Sequence, residues 1–133
     1  MNPKDKMYSP EKWVAHAISD LNLARLGKEG LGVLPEQICF HAQQSVEKAL
    51  KAILLFSKID FPLTHDIEEL LDLLSEANIL LPQEIMDADG LTPYAVETRY
   101  PGLYEEIAND DVDKAMSIAE KVVAWAEGYL DRR

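Results

Sequence analysis

Phe40-His41-Ala42-Gln43-Gln44-Ser45-Val46-Glu47-Lys48-Ala49-Leu50-Lys51 is the stretch that decides how this chain is read. Its composition is helical, and a helix turns about 100° per residue. On that wheel Cys39, Ala42, Val46, Ala49, Ile53 and Phe56 make one apolar face. His41, Gln44, Lys48 and Lys51 gather on the opposite side, which is expected to be wet. Gln43 and Glu47 fall between, on a stripe shared with Phe40, Leu50 and Leu54. A carboxylate and an amide one turn apart among apolar neighbours need partners. Another helix, a second subunit or a ligand would serve. Phe40, Leu50 and Leu54 form a shoulder that a small bundle has difficulty covering, and this predicts a homodimer.

Working outward, Ser9-Pro10-Glu11 reads as a helix start: a serine cap, a proline at the first position and an acid at the positive end. Trp13, Ala17, Leu21 and Ala24 recur on one face, and the glycines from Gly27 to Gly32 end the helix. A second helix runs from Pro35 to about Ser57. After a loop held by Pro62, Thr64 is expected to cap a third helix, with Asp66, Glu68 and Glu69 in its first turn. Leu70, Leu71, Leu73, Leu74 and Ala77 supply its apolar face. Pro82 opens a short segment to about Ala88. Asp89 to Leu103, with Gly90, Pro93, Pro101 and Gly102, reads as a long ordered loop. The last helix starts near Asp110 or Asp111 and turns Ala115, Ile118, Ala119, Val122, Ala126 and Tyr129 inward. No stretch alternates long enough to be a strand. The expected fold is all-α: an up-and-down antiparallel four-helix bundle with a short additional helix, as one domain over residues 1–133.

The 133 residues are 47% hydrophobic, enough for a core. No apolar run approaches a membrane span, and the polar start lacks a signal core. One cysteine, Cys39, excludes an internal disulfide and sits at a core position. These features read as cytoplasmic. Net charge is -11, from 24 acidic and 13 basic residues. That argues against non-specific nucleic-acid binding, which needs a basic face, and fits a soluble protein or one whose partner is basic.

The three histidines, His16, His41 and His65, lie on different elements without a zinc-type motif, so no metal is expected. Ser45 lacks a nucleophile turn and should bond back to its own helix. Gly27-Lys28-Glu29-Gly30 is a helix stop rather than a phosphate loop. Thr98-Arg99-Tyr100-Pro101-Gly102 carries a turn signal in which Gly102 supplies positive φ. Arg99 would then clamp the loop through Glu47 or an acidic residue of helix three, or contact an anion. A ligand site is expected where helix two meets this turn, built from Gln43, Glu47, Lys48, His65, Arg99 and Tyr100.

Phe40 through Ala52, His65-Asp66 and Thr98 through Gly102, in that order, resemble the HEPN domain. This is a small helical domain of prokaryotes and higher eukaryotes, first proposed to bind nucleotides. The resemblance covers Trp13 to about Tyr129 and implies the same helical bundle. It also implies a dimer, and pairing with a minimal nucleotidyltransferase in a two-gene toxin–antitoxin-type system. Ribonuclease members carry an arginine followed, four to six residues on, by a histidine. Arg25 and Arg99 have no histidine at that spacing, and Arg132 and Arg133 end the chain. That catalytic pair does not transfer. The expected function is therefore a non-catalytic interaction and nucleotide-binding module without a cofactor. Two alternatives stand beside it: a metal-free RNA-cleaving toxin with a degenerate site of His41, Glu47, His65 and Arg99, and a stand-alone nucleotide-binding regulator.

Overall fold

A computed structural model describes residues 9–30, 32–95 and 106–131. Helix α1 spans Pro10–Glu29, α2 Pro35–Phe56, α3 Ile67–Glu76 and α4 Gln83–Met86. A 3-10 helix, Asp87–Ala95, follows α4, and α5 spans Asn109–Asp131. Among the described residues there is no strand. The architecture is the all-α bundle that the periodicity predicts.

The ends of the helices follow local chemistry. Ser9 caps α1 as expected, its hydroxyl accepting from the Lys12 N–H at 3.1 Å. Gly30 closes the other end, its N–H donating to the Leu26 carbonyl at 2.8 Å. At α3 the expected cap is corrected. Asp66, not Thr64, is the N-cap and accepts from the Glu68 N–H, while the Thr64 hydroxyl accepts from the Asp66 N–H. Asx chemistry at Asp66 outcompetes the threonine two residues earlier. Part of the expected long loop is likewise helical: Asp87–Ala95 winds as 3-10 turns that accommodate Gly90 and Pro93.

The order of contacts fixes direction. Lys28 of α1 lies 2.6 Å from Asp113 of α5, and Arg25 lies 3.9 Å from Glu120, so α1 and α5 run antiparallel. The Asp113 hydrogen bond and charge raise the Lys28 pKa above its ordinary value. Gly27 of α1 faces Ile38 of α2, while Asp20 reaches Lys48, so α1 also opposes α2. A side chain at Gly27 would place its Cβ 3.0 Å from Val33 and 3.1 Å from Ile38. The close approach of the two helices therefore depends on this glycine.

Helix α2 is the centre of the molecule, packed against α1, α3, α5 and the 3-10 helix. Cys39, Ala42, Val46, Ala49 and Ile53 are fully buried, as the apolar face requires. Leu50 and Leu54 are fully buried too, and only Phe40 of the predicted shoulder stays half-buried. The shoulder is therefore interior to one chain and gives no argument for a dimer. Ser45 Oγ donates to the Ala42 carbonyl at 2.7 Å, the back-bond expected of a buried hydroxyl. No described helix is long and apolar enough to cross a membrane.

Candidate functional site

Because α2 is covered on several sides, its polar residues cannot all reach water. Gln43, Glu47 and Lys51 follow one another at intervals of four, and each is at most 3% exposed. Lys51 is thus corrected from the wet side to the interior. Its stem carries the ammonium to 5.9 Å from the ring centres of both Trp13 and Phe61, and its Nζ donates to Glu47 Oε2 at 3.3 Å.

The other carboxylate oxygen, Glu47 Oε1, receives the Gln43 amide at 3.3 Å and His65 Nδ1 at 2.7 Å. The same Gln43 nitrogen donates to the His65 carbonyl at 3.2 Å, and its oxygen accepts from Gln44 Nε2 at 2.7 Å. Both oxygens of Glu47 and both ends of the Gln43 amide are engaged within the chain. The partners that the sequence demanded are these residues. A carboxylate oxygen accepts, so His65 donates through Nδ1 and leaves Nε2 on the far edge of an exposed ring.

A second polar set lies between α1 and α2. Asp20, 8% exposed, accepts from Lys48 Nζ on Oδ2 at 2.6 Å and pairs through Oδ1 with His41 Nδ1 at 3.2 Å. His41 also stands edge-on to Phe40, with ring centres 5.2 Å apart. His41 and Lys48 remain half-buried and reach the surface. Lys48 therefore belongs with Asp20, not beside Glu47. Gln44, hydrogen-bonded to Gln43, is half-buried like His41 and Lys48. His41, Gln44 and Lys48 consequently form a half-buried polar ridge, with Gln43, Glu47 and Lys51 beneath it.

The ridge and its foundation bring together Gln43, Glu47 and His65, and separately Lys48 with His41. Arg99 and Tyr100, with the rest of the Thr98–Gly102 turn and the proposed Arg99–Glu47 clamp, lie outside the described residues. Asp20 was not among the expected residues. Its signal was present: it stands on the apolar stripe of Ala17, Leu21 and Ala24, where an acid must have a partner. Among the described residues no three His, Cys, Asp or Glu side chains converge as metal ligands, and His41 and His65 serve different carboxylates.

The HEPN domain model matches residues 10–129, which takes in both polar sets. The chain belongs to the HEPN domain family. Two solved structures share its form. The crystal structure of an archaeal HEPN homologue is 29% identical with a TM-score of 0.70, and the match covers 92% of this chain and 98% of that one. The crystal structure of TT1696 from Thermus thermophilus is 29% identical with a TM-score of 0.72, covering 90% and 96%. A search of the curated proteins finds no significant match. In this HEPN domain the stretch that carries the resemblance, Phe40 through Ala52, is the one whose polar groups knit α2 to the His65 loop.

The buried pair makes a stability prediction. Glu47→Leu leaves the Lys51 ammonium uncompensated in the interior and should destabilise the fold by about 3–5 kcal/mol in urea unfolding. Glu47→Leu combined with Lys51→Met should recover most of that loss, because the unpaired charge is gone. A double variant as unstable as the single one would show that the pair is not the source.

Proposed function

We propose that this HEPN domain is a non-catalytic binding module that takes a nucleotide on the ridge of α2. In this reading it works in the cytoplasm as a homodimer, paired with a minimal nucleotidyltransferase in a two-gene toxin–antitoxin-type system. The observation that carries the ligand reading is the anchoring of the ridge. Asp20, itself buried, fixes Lys48 and His41 in place, so their outer edges are organised before any ligand arrives. Lys48 has three donors, and Asp20 uses one of them in the contacts described. His65 stands nearby through Glu47. Gln43 and Glu47 act as the frame that holds it, since they are buried and already bonded. Arg99 and Tyr100 complete the proposed site with a planar cation and an aromatic face. The nucleotidyltransferase partner rests on family membership alone.

The dimer reading needs a new surface, and the exposed apolar side chains supply one. Leu23, Leu26, Val33 and Leu34 are each between 38% and 65% exposed and sit at the α1–α2 turn. A groove of about 350 Å³ between Leu23, Leu26, Val33 and His41 runs into this patch. A second copy closing over it would bring two ridges close together.

A second reading, metal-free RNA cleavage, has one observation in its favour: His41 and His65 are each held by a carboxylate through Nδ1. The missing arginine–histidine spacing weighs against it.

Nucleotides at up to millimolar concentration should raise the melting temperature of the wild type, as ligands of the native state must. The rise should disappear in Lys48→Ala and in Arg99→Gln. If no nucleotide shifts the wild type, the ligand reading is abandoned.

Leu26→Glu should convert a light-scattering mass of twice 15.0 kDa to the monomer value. A wild-type mass of 15.0 kDa at micromolar concentrations would contradict the dimer.

Structured and single-stranded RNA should survive incubation with the protein in the absence of metal. Cleavage lost in His41→Ala or His65→Ala would install the second reading instead.

A further inference from the structure

The acidic residues of this chain are unevenly placed. Between residues 59 and 95 there are nine Asp or Glu and no Lys or Arg, so this stretch carries -9 of the net -11. All nine are exposed. The eight from Asp66 onward make no ion pair with another described residue. They do not gather as metal ligands either. They are spread over a surface, which suits a partner with distributed positive charge rather than a single cation.

The same stretch holds an apolar groove. Asn78 adopts a left-handed conformation, φ 63°, just after α3 and turns the chain toward α4. Leu81 is buried, and Leu80 is 90% exposed. Leu80 lies with Ile79 and Met86, the latter 45% exposed, along a depression of about 360 Å³ floored by Leu81. Ser75 and Asn78 form its other wall. Glu76 and Asp87 adjoin these lining residues in the chain, and Glu84 stands on α4 between them.

Leu80 is not part of the core, and the unpaired acids that flank the groove in the chain disfavour any acidic or anionic occupant. Another copy of this chain seated here through the same acidic stretch would face the same repulsion. We propose that the groove at the α3–α4 junction docks a basic amphipathic segment of a partner protein. An apolar side chain of that segment seats against Leu80 and Met86, while its Lys and Arg side chains meet Glu76, Glu84 and Asp87. This surface is separate from the ridge of α2 and does not depend on the nucleotide reading.

The test uses the full chain and a labelled synthetic helical peptide with Leu on one face and Lys and Arg on the other. A matched peptide with Glu in place of each Lys and Arg is the control. Fluorescence anisotropy at low salt should show binding of the basic peptide only, and the affinity should fall as salt rises. Leu80→Ser should weaken binding at least about tenfold, and Glu76→Lys with Glu84→Lys should do the same. Both sets of residues are exposed, so circular dichroism melts should match the wild type. Four outcomes would each overturn the proposal. The basic peptide could fail to bind, or bind no better than the acidic one. Leu80→Ser could leave binding intact, which would mean general charge attraction. Leu80→Ser could instead abolish self-association of the protein, which would mean that a second copy occupies the groove.

Discussion

Glu47 is the residue on which the arrangement of the molecule depends. A carboxylate at 3% exposure has lost its water, and its two oxygens must find donors in the protein. Lys51 supplies one from the next turn of the same helix. Gln43 supplies another from the preceding turn, and His65 supplies a third from the loop before α3. The first two partners are local and stiffen α2. The third is not: it ties the return of the chain after α2 to the middle of that helix. Gln43 doubles the tie by donating to the His65 carbonyl. Asp66, the neighbour of His65, then caps α3, so the same attachment places the start of that helix.

This explains why a central helix tolerates so much polarity. Replacing a buried ion pair by apolar groups is often neutral or favourable to stability, so Glu47 and Lys51 are not explained by stability alone. What they provide is register. An apolar α2 could slide or rotate against its neighbours at little cost, whereas a carboxylate with three fixed donors has one acceptable seat. The Asp20 set does the same between α1 and α2, where Gly27 lets the helices come close and Asp20 fixes their offset by holding Lys48 and His41. Two buried carboxylates, one on each of the two helices, therefore set the positions of their neighbours, and the surface ridge is a consequence of that setting.

Much of the fold was legible because helix ends and apolar periods are local signals. Ser9-Pro10 and Pro35 announced their helices, and the inner face of α5 could be counted off from Ala115. The polar part was less legible for a definite reason. A helical wheel orders residues around one axis and does not say how many sides are covered. Lys51 and Lys48 both fell on the side opposite the core, yet one is interior and the other is not. The difference lies in Trp13 and Phe61, which come from outside the helix and enclose the Lys51 stem. Leu50 and Leu54 were misplaced for the same reason, since the elements packed around α2 bury them from beyond the local pattern. Of the expected site, Gln43, Glu47 and His65 do assemble. Their burial makes them a frame, and Asp20, the anchor of the exposed part, was hidden within an apolar stripe on another helix.

Charge is used differently in two parts of the molecule. The buried acids of α1 and α2 are matched, Asp20 with Lys48 and His41 and Glu47 with Lys51, and Asp113 of α5 pairs with Lys28. Around α3 and α4 they are left unmatched, and like charges at close spacing on a short helix repel. Some of that strain is relieved at the helix start, where Asp66, Glu68 and Glu69 meet the positive end of the dipole. The α3 dipole does nothing for Glu76 at its far end, while Glu84 and Asp87 stand in the first turns of α4 and the 3-10 helix. Neither the 90% exposed Leu80 nor the unpaired Glu76 is held in place by the core. Under the docking proposal a partner that is both basic and apolar accounts for both features, because the groove supplies contact area and the acids supply orientation.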